Sequence, residues 1–131
     1  MKKSVFILLL AVCGGLQVAF AQQAVPKAGM TISSVDYSGQ EQGAYMTLEN
    51  FSSDPVILKS YKAQVMEIPG VVNFDPVLTA GTTSGHAYLY FKVTSKAGFQ
   101  ELLRKFFCAL EIQDVKINQQ HFSSCGQITV E

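Results

Sequence analysis

The chain has 131 residues, of which 48% are hydrophobic and 15% charged, and its ten basic and ten acidic residues balance. This length suits one compact domain and leaves no room for two. Neither sign of charge clusters along the sequence, so the composition gives no support to binding of nucleic acid or of an anionic membrane surface.

Residues 1–21 have the pattern of a secretory signal. Lys2 and Lys3 form a short basic segment, an uncharged apolar run follows, and Ala19 and Ala21 place small residues at a cleavage site. The apolar run is too short to favour a membrane-spanning helix. We therefore predict cleavage after Ala21 and export to the periplasm or the medium, in the pattern of a Gram-negative bacterium.

A lipid-attachment pattern around Cys13 competes with that cleavage site. A small residue is expected directly before a lipidated cysteine, and Val12 does not meet this requirement. The sequence thus favours a cleaved signal, with Cys13 as a small apolar member of the run. Removal of residues 1–21 leaves 110 residues, which can bury a core without metals or several disulfides.

The mature chain opens with a predicted flexible leader, residues 22–29, and residues 30–131 form the predicted single domain. The β-branched run 31–37 is a candidate extra strand at the N-terminal end. Residues 44–49 alternate between apolar and polar side chains, which is the period of a half-buried strand.

A first helix is predicted from Asp54, whose carboxylate can cap it, with Pro55 in the first helical position. Its apolar residues recur at helical spacing and form one stripe, made of Ile57, Tyr61, Val65 and Ile68. Pro69-Gly70 ends the helix, and residues 71–77 resume β character. The same segment near residues 56–58 would also serve as a strand.

The second half of the domain gives the clearest periodicity. In the strand 86–93, Ala87, Leu89, Phe91 and Val93 point one way, and His86, Tyr88, Tyr90 and Lys92 point the other. Ser95 caps a second helix, whose apolar stripe is Phe99, Leu102, Leu103, Phe106 and Leu110. A closing strand 114–117 and a tail, 118–131, complete the chain.

The order of these elements predicts an α+β fold. Each of the two helices has one apolar stripe, and each of the four strands has one apolar face. These apolar surfaces are buried when the helices pack on the sheet, which predicts a two-layer ferredoxin-like βαββαβ sandwich with the candidate extra N-terminal strand. In an oxidising compartment we expect a disulfide between Cys108 and Cys125. By the chain-entropy relation it is worth about 3 kcal/mol.

With the first helical stripe and Pro69-Gly70-Val71, the chain resembles the heavy-metal-associated domains of copper chaperones and metal pumps. In that family two cysteines hold the metal in the loop before the first helix. The matching positions here are Asp54 and Ile57, which offer no thiolate for soft metals. The resemblance thus implies the family's fold without its metal at the usual loop, and we predict no cofactor.

Three alternatives remain open. A metal carrier would use other ligands, chosen from His86, His121, Cys108, Cys125, Met30, Met46 and Met66, although their spacing is not that of a metal site. Residues 45–58 also resemble the opening of secreted β-sandwiches, including periplasmic copper-binding ones, against which the second helix argues. A Ser84, His86 and Asp75 set would suit a small enzyme, but no nucleophile elbow surrounds the serine.

An aromatic row supplies the functional hypothesis. Because two helices cover one side of the predicted sheet, the other side is left open, and it carries Tyr45, His86, Tyr88, Tyr90 and Lys92. Tyrosines pack well in interfaces while keeping a polar tip. We predict an exported, non-catalytic binding module. Its partner would be another envelope protein or a second copy, with no nucleic acid and no membrane segment after signal cleavage.

Overall fold

The computed structural model describes residues 25–78 and 83–131. The predicted signal, Cys13 and the start of the predicted leader lie outside these residues. The elements, in chain order, are β1 (Lys27–Met30), β2 (Gln42–Glu49), α1 (Pro55–Val65), β3 (Val71–Leu78), β4 (Gly85–Phe91), α2 (Lys96–Ala109), β5 (Asp114–Ile117) and β6 (Gln120–Phe122). A short 3-10 turn follows at Cys125–Gln127.

The strands form one six-stranded sheet in the order β3-β4-β2-β1-β5-β6. Neighbouring strands are antiparallel except β1 and β5, which are parallel. Within the described ranges, this sheet and two helices make a mixed α+β fold, compatible with a ferredoxin-like layout. None of the helices in the described ranges combines the length and the apolar character needed to cross a membrane.

The core lies on one face of the sheet, where alternate strand residues meet the helices. Phe74 of β3 packs edge-on against Phe106 of α2, with ring centroids 5.2 Å apart, and Phe91 of β4 stacks on Phe99 at 5.1 Å. Met46 of β2 is fully buried in the same cluster. The strand residues between these positions point to the opposite face, which is the face that carries the candidate site.

The extra N-terminal strand exists, but not at the predicted residues. It forms at Lys27–Met30, between β2 and β5, so the last residues of the predicted leader are paired on both sides. This register is favoured because it buries the side chains of Ala28 and Met30 in the core. The predicted strand 31–37 is wrong: the Asn118 side chain makes 2.7 Å hydrogen bonds to both the N–H and the carbonyl oxygen of Ile32, in place of a strand partner.

Helix α1 begins as its sequence predicts. Asp54 Oδ1 accepts a 2.9 Å hydrogen bond from the N–H of Val56, and Pro55 occupies the first turn. The predicted apolar stripe is buried in its later part, since Val65 and Ile68 enter the core while Ile57 is 39% exposed. This helical segment removes the β-sandwich alternative, which required an extended chain here.

Helix α2 confirms its predicted cap and stripe. Ser95 Oγ accepts a 3.0 Å hydrogen bond from the N–H of Gly98. All five predicted stripe residues are buried, namely Phe99, Leu102, Leu103, Phe106 and Leu110. The more regular periodicity of this segment therefore corresponds to a helix that is apolar along its whole inner side.

The predicted tail packs onto α2. The sulfur atoms of Cys108 and Cys125 are 1.98 Å apart, which is the disulfide expected from the sequence. Arg104 Nε donates a 2.8 Å hydrogen bond to the carbonyl oxygen of Ile128, and Ile128 itself is fully buried. The C-terminal segment is thus part of the domain, because its apolar residues complete the core beside α2.

Candidate binding face of the sheet

The candidate site is the sheet face opposite the helices, which we call the open face. Strand alternation places Tyr45 of β2 and Tyr88 of β4 on it, and their residues are 48% and 37% exposed. The register sets these two tyrosines directly opposite each other, with Thr47 opposite His86 two residues along. The neighbouring strands β2 and β4 therefore present their aromatic residues side by side.

Four of the five residues predicted for this face form one aromatic cluster. Tyr45 lies 5.4 Å from Tyr88 and 5.6 Å from His86, measured between ring centroids. Tyr88 also contacts His86 at 5.8 Å and stacks on Tyr90 at 6.4 Å. Cross-strand ring pairs of this kind contribute about 0.2–1 kcal/mol each. Tyr45 and Tyr88 are the exposed members of the cluster, and His86 and Tyr90 are half-buried.

The fifth predicted residue, Lys92, lies outside the cluster. It follows the end of β4, where its backbone N–H donates a 2.8 Å hydrogen bond to the carbonyl oxygen of Gly70. Lys92 also lines a cavity of about 390 Å³ at the end of the sheet, together with Ile68, Gly70, Val93 and Leu102. This cavity is separate from the aromatic cluster.

A polar groove lies beside the aromatic cluster, and it was not predicted from the sequence. Gly29 of β1 is flanked by Thr47 of β2 and Lys116 of β5 in the sheet register, and no side chain rises between them. A cavity of about 430 Å³ follows this gap and is lined by Lys27, Gly29, Thr47, Glu49, Asp114, Lys116 and His121. We call this feature the Gly29 groove.

The Gly29 groove reaches the aromatic cluster. A second cavity of about 430 Å³ is lined by Gly29, Thr47 and Lys116 again, and also by Tyr45, Asn118 and Gln119. Because the two cavities share three lining residues, we include both in the Gly29 groove, and Tyr45 belongs to the groove as well as to the aromatic cluster. A glycine within a strand often marks a close approach of a ligand or another backbone, but the sequence could not show which strands would lie beside Gly29.

The groove holds one compact group of ionisable side chains. His121 Nε2 lies 2.6 Å from Asp114 Oδ1, and Lys27 Nζ lies 4.0 Å from Asp114 Oδ2. These side chains are between 32% and 57% exposed, so solvent screens the Lys27–Asp114 ion pair. The group supplies hydrogen-bond donors and acceptors at a wet surface.

The candidate metal ligands are dispersed. His86 on β4 and His121 on β6 are four strand spacings apart, which is about 19 Å. The cysteines are joined to each other, and the Asp54 carboxylate accepts the capping hydrogen bond of α1. Across residues 25–78 and 83–131, no three His, Cys, Asp or Glu side chains are grouped so that they could hold a metal ion.

The sheet register places Asp75 and His86, two of the three candidate triad residues, on the open face. The register pairs Asp75 with Tyr88 and Val77 with His86. Asp75 therefore lies two residues along β3 from the position opposite His86. The ring contacts of His86 are to Tyr45 and Tyr88. The histidine is thus part of the aromatic cluster, and its surroundings suit stacking.

The open face combines exposed rings with a polar groove, an arrangement suited to binding. No protein-family model, curated protein or solved structure matches the chain.

Proposed function

We propose that this protein is an exported, non-catalytic binding module that contacts a macromolecule through the open face of its sheet. The observation that carries the proposal is the aromatic cluster of Tyr45, His86, Tyr88 and Tyr90 on the neighbouring strands β2 and β4, in which Tyr45 and Tyr88 are exposed. Large rings on rigid strands lose little conformational freedom on binding, and tyrosine is enriched among residues that dominate binding energy.

The scaffold we propose is a ferredoxin-like βαββαβ core related to the heavy-metal-associated domains, with β1 inserted between its first and last strands. Three observations support this topology. The strands β3, β4 and β2 are neighbours in that order, β5 lies on the far side of β1 from β2, and there are two helices in the described ranges. At the loop that holds metal in that family, Asp54 serves as the cap of α1 and Ile57 is apolar. We accordingly place the function on the sheet and not at that loop.

The binding face can be tested by site-specific photo-crosslinking in the native cell envelope. A photoreactive amino acid in place of Tyr88 should give a discrete crosslinked product, and the same residue in place of Val56 should not. Val56 is the matched control because it is 76% exposed on α1, in the other layer. Equal products from both positions, or none from position 88, would contradict the proposal.

A second experiment separates loss of binding from loss of folding. The Tyr88→Ser and Tyr90→Ser double variant should keep the circular dichroism spectrum of the parent and lose the crosslinked product, now read from a photoreactive residue at position 45. Sedimentation of the purified protein distinguishes a second copy from another partner. Crosslinking that persists in the folded double variant would refute the role of the rings.

Export is tested by sequencing the N-terminus of the protein recovered from the envelope fraction. Cleavage after Ala21 predicts Gln22 as the first residue. A chain that begins at a lipid-modified Cys13, or that keeps Met1 and remains with cytoplasmic proteins, would contradict this part of the proposal.

A further inference from the structure

We propose that the open face binds a neutral oligosaccharide, with a sugar ring stacked on Tyr45 and hydroxyl groups hydrogen-bonded along the Gly29 groove. This inference rests on the proposed function, because Tyr45 belongs to both the aromatic cluster and the groove. It adds the chemical class of the ligand, which the aromatic cluster alone does not identify.

The shape of the groove comes from Gly29. The backbone at Gly29 does not have a positive φ, so its conformation does not require glycine. What the glycine contributes here is the absence of a side chain. A Cβ at this position would lie 3.0 Å from Thr47 Oγ1. The missing side chain leaves a depression over Gly29 in the middle of the sheet, between the tyrosines and the charged residues.

The polar lining suits hydroxyl groups. Lys27 and Lys116 can donate, and Glu49 and Asp114 can accept. The Thr47 hydroxyl donates a 3.4 Å hydrogen bond to the carbonyl oxygen of Gly29, and its oxygen can accept. A sugar hydroxyl is also both a donor and an acceptor, so it can pair with each kind of group. Sugar rings additionally present apolar C–H faces, which fit against an exposed aromatic ring such as Tyr45.

The charges of the groove favour a neutral ligand. Two lysines face two carboxylates, and Asp114 is already shared between Lys27 and His121. A nucleic acid would need an excess of positive charge to neutralise its phosphates. The buried centre of a protein interface is depleted in Lys, Glu and Asp, so the groove is also a poor match for a protein partner.

The dimensions suit more than one sugar unit. From Tyr45 on β2 to His121 on β6 the face crosses three strand spacings, about 14 Å. The two cavities that follow this path are about 430 Å³ each and share Gly29, Thr47 and Lys116. Binding sites for small molecules occupy roughly 300–1,000 Å³, so the groove can hold a short oligosaccharide.

The test is a screen of the purified mature protein on an array of neutral and acidic oligosaccharides, followed by calorimetric titration with the best neutral trisaccharide. We expect at least one neutral glycan to bind with a Kd at or below about 1 mM, a range common to weak specific complexes. Tyr45→Ala should weaken binding about tenfold, as for a central contact residue. Gly29→Val should weaken it at least as much by filling the groove.

The control variant is Val56→Ser, which alters an exposed apolar residue in the helix layer and should change the affinity less than about twofold. Circular dichroism and thermal unfolding establish that Gly29→Val is folded. If it is not, Thr47→Val, which keeps the strand and removes the hydroxyl, takes its place and should weaken binding.

The outcomes separate this inference from the proposed function. Binding of no glycan, or of acidic glycans alone, overturns the oligosaccharide inference. If Tyr88-dependent crosslinking to an envelope protein is found at the same time, the binding module stands and only the ligand class is wrong. If neither glycan nor crosslink is found, both proposals fail. Glycan binding that is unaffected by Tyr45→Ala and by filling the groove also overturns the inference.

Discussion

Tyr45 and Tyr88 are directly opposite each other on β2 and β4, with ring centroids 5.4 Å apart on the face away from the helices. This pair fixes the centre of the aromatic cluster, because each ring also contacts His86.

Tyr45→Ala and Tyr88→Ala should be energetically coupled. Opposed aromatic residues on one sheet face contribute about 0.2–1 kcal/mol, so the double variant should lose less unfolding free energy than the two single losses added together. Urea unfolding of the four proteins measures the difference. As the comparison, Tyr88→Ala combined with Val56→Ser should be additive, because the two side chains lie in different layers. Equal coupling in both cycles would argue against the ring contact.

The disulfide should account for a large part of the stability. Its cysteines are 17 residues apart, and closing a loop of this size in the unfolded chain is worth about 3 kcal/mol. We expect Cys108→Ala with Cys125→Ala to lower the unfolding free energy by about 2–4 kcal/mol in urea.

Reduction provides the matched measurement for the disulfide. The reduced parent protein should unfold at nearly the same urea concentration as the double variant, and reductant should leave the double variant unchanged. Two reactive thiols in the native mature protein would show that the bond is not formed.

Ile128→Ala should destabilise the domain although Ile128 lies only three residues before Glu131. Ile128 is fully buried, and truncation of a buried isoleucine costs about 2–5 kcal/mol. The neighbouring Thr129 is exposed, so Thr129→Ala should stay within about 0.5 kcal/mol of the parent. Similar stabilities for the two variants in thermal and urea unfolding would mean that the segment does not pack as described.

Gly70→Ala should be costly because of the backbone at the turn after α1. Gly70 has φ +95°, and a Cβ there would lie 2.9 Å from both Leu102 Cδ1 and the carbonyl oxygen of Lys92. Strain of this kind costs about 1–3 kcal/mol. Gly126→Ala is the control, since the nearest atom to its Cβ, Ser124 Oγ, is 3.9 Å away. Equal effects of the two substitutions on the melting temperature would contradict the assignment of strain to Gly70.

Tyr61 should make the stability depend on pH in alkaline solution. Partial burial, and then the charge and hydrogen bond of Glu111, raise the pKa of Tyr61 above its ordinary value of 10.0. The unfolded chain therefore loses this proton first, and stability should be constant below about pH 10 and fall above it. Tyr61→Phe should flatten this fall while changing the unfolding free energy at pH 7 by less than about 1 kcal/mol.

The measurement for Tyr61 is urea unfolding at a series of pH values from 7 to 11. Glu111→Gln removes the charge and should reduce the alkaline loss without abolishing it, because burial is the larger cause. An identical alkaline profile in the parent and in Tyr61→Phe would assign the effect to other groups.

Several elements were predictable because local chemistry fixes them. The caps Asp54 and Ser95 and the buried stripe of α2 depend only on neighbours along the chain. The Cys108–Cys125 bond followed from counting the cysteines after the predicted signal. Alternation placed Tyr45, Tyr88 and Tyr90 correctly on one face of their strands.

The insertion of β1 was not predictable in the same way. Its four residues are too few for a clear alternation, and their pairing depends on β2 and β5, which are distant in sequence. The run 31–37 has stronger β character, yet Asn118 occupies the backbone groups of Ile32. A side chain 86 residues away thus decided where the strand ended.

The sequence by itself determined the two helices, their caps, the alternating strands and the pair of cysteines, because each is set by residues within a few positions of one another. Only the tertiary structure decided that Gly29 lies between Thr47 and Lys116, and that Ile128 closes the core beside Arg104. The physical reason is strand order: which strands become neighbours depends on how the whole core is buried, and the groove exists only between particular neighbours.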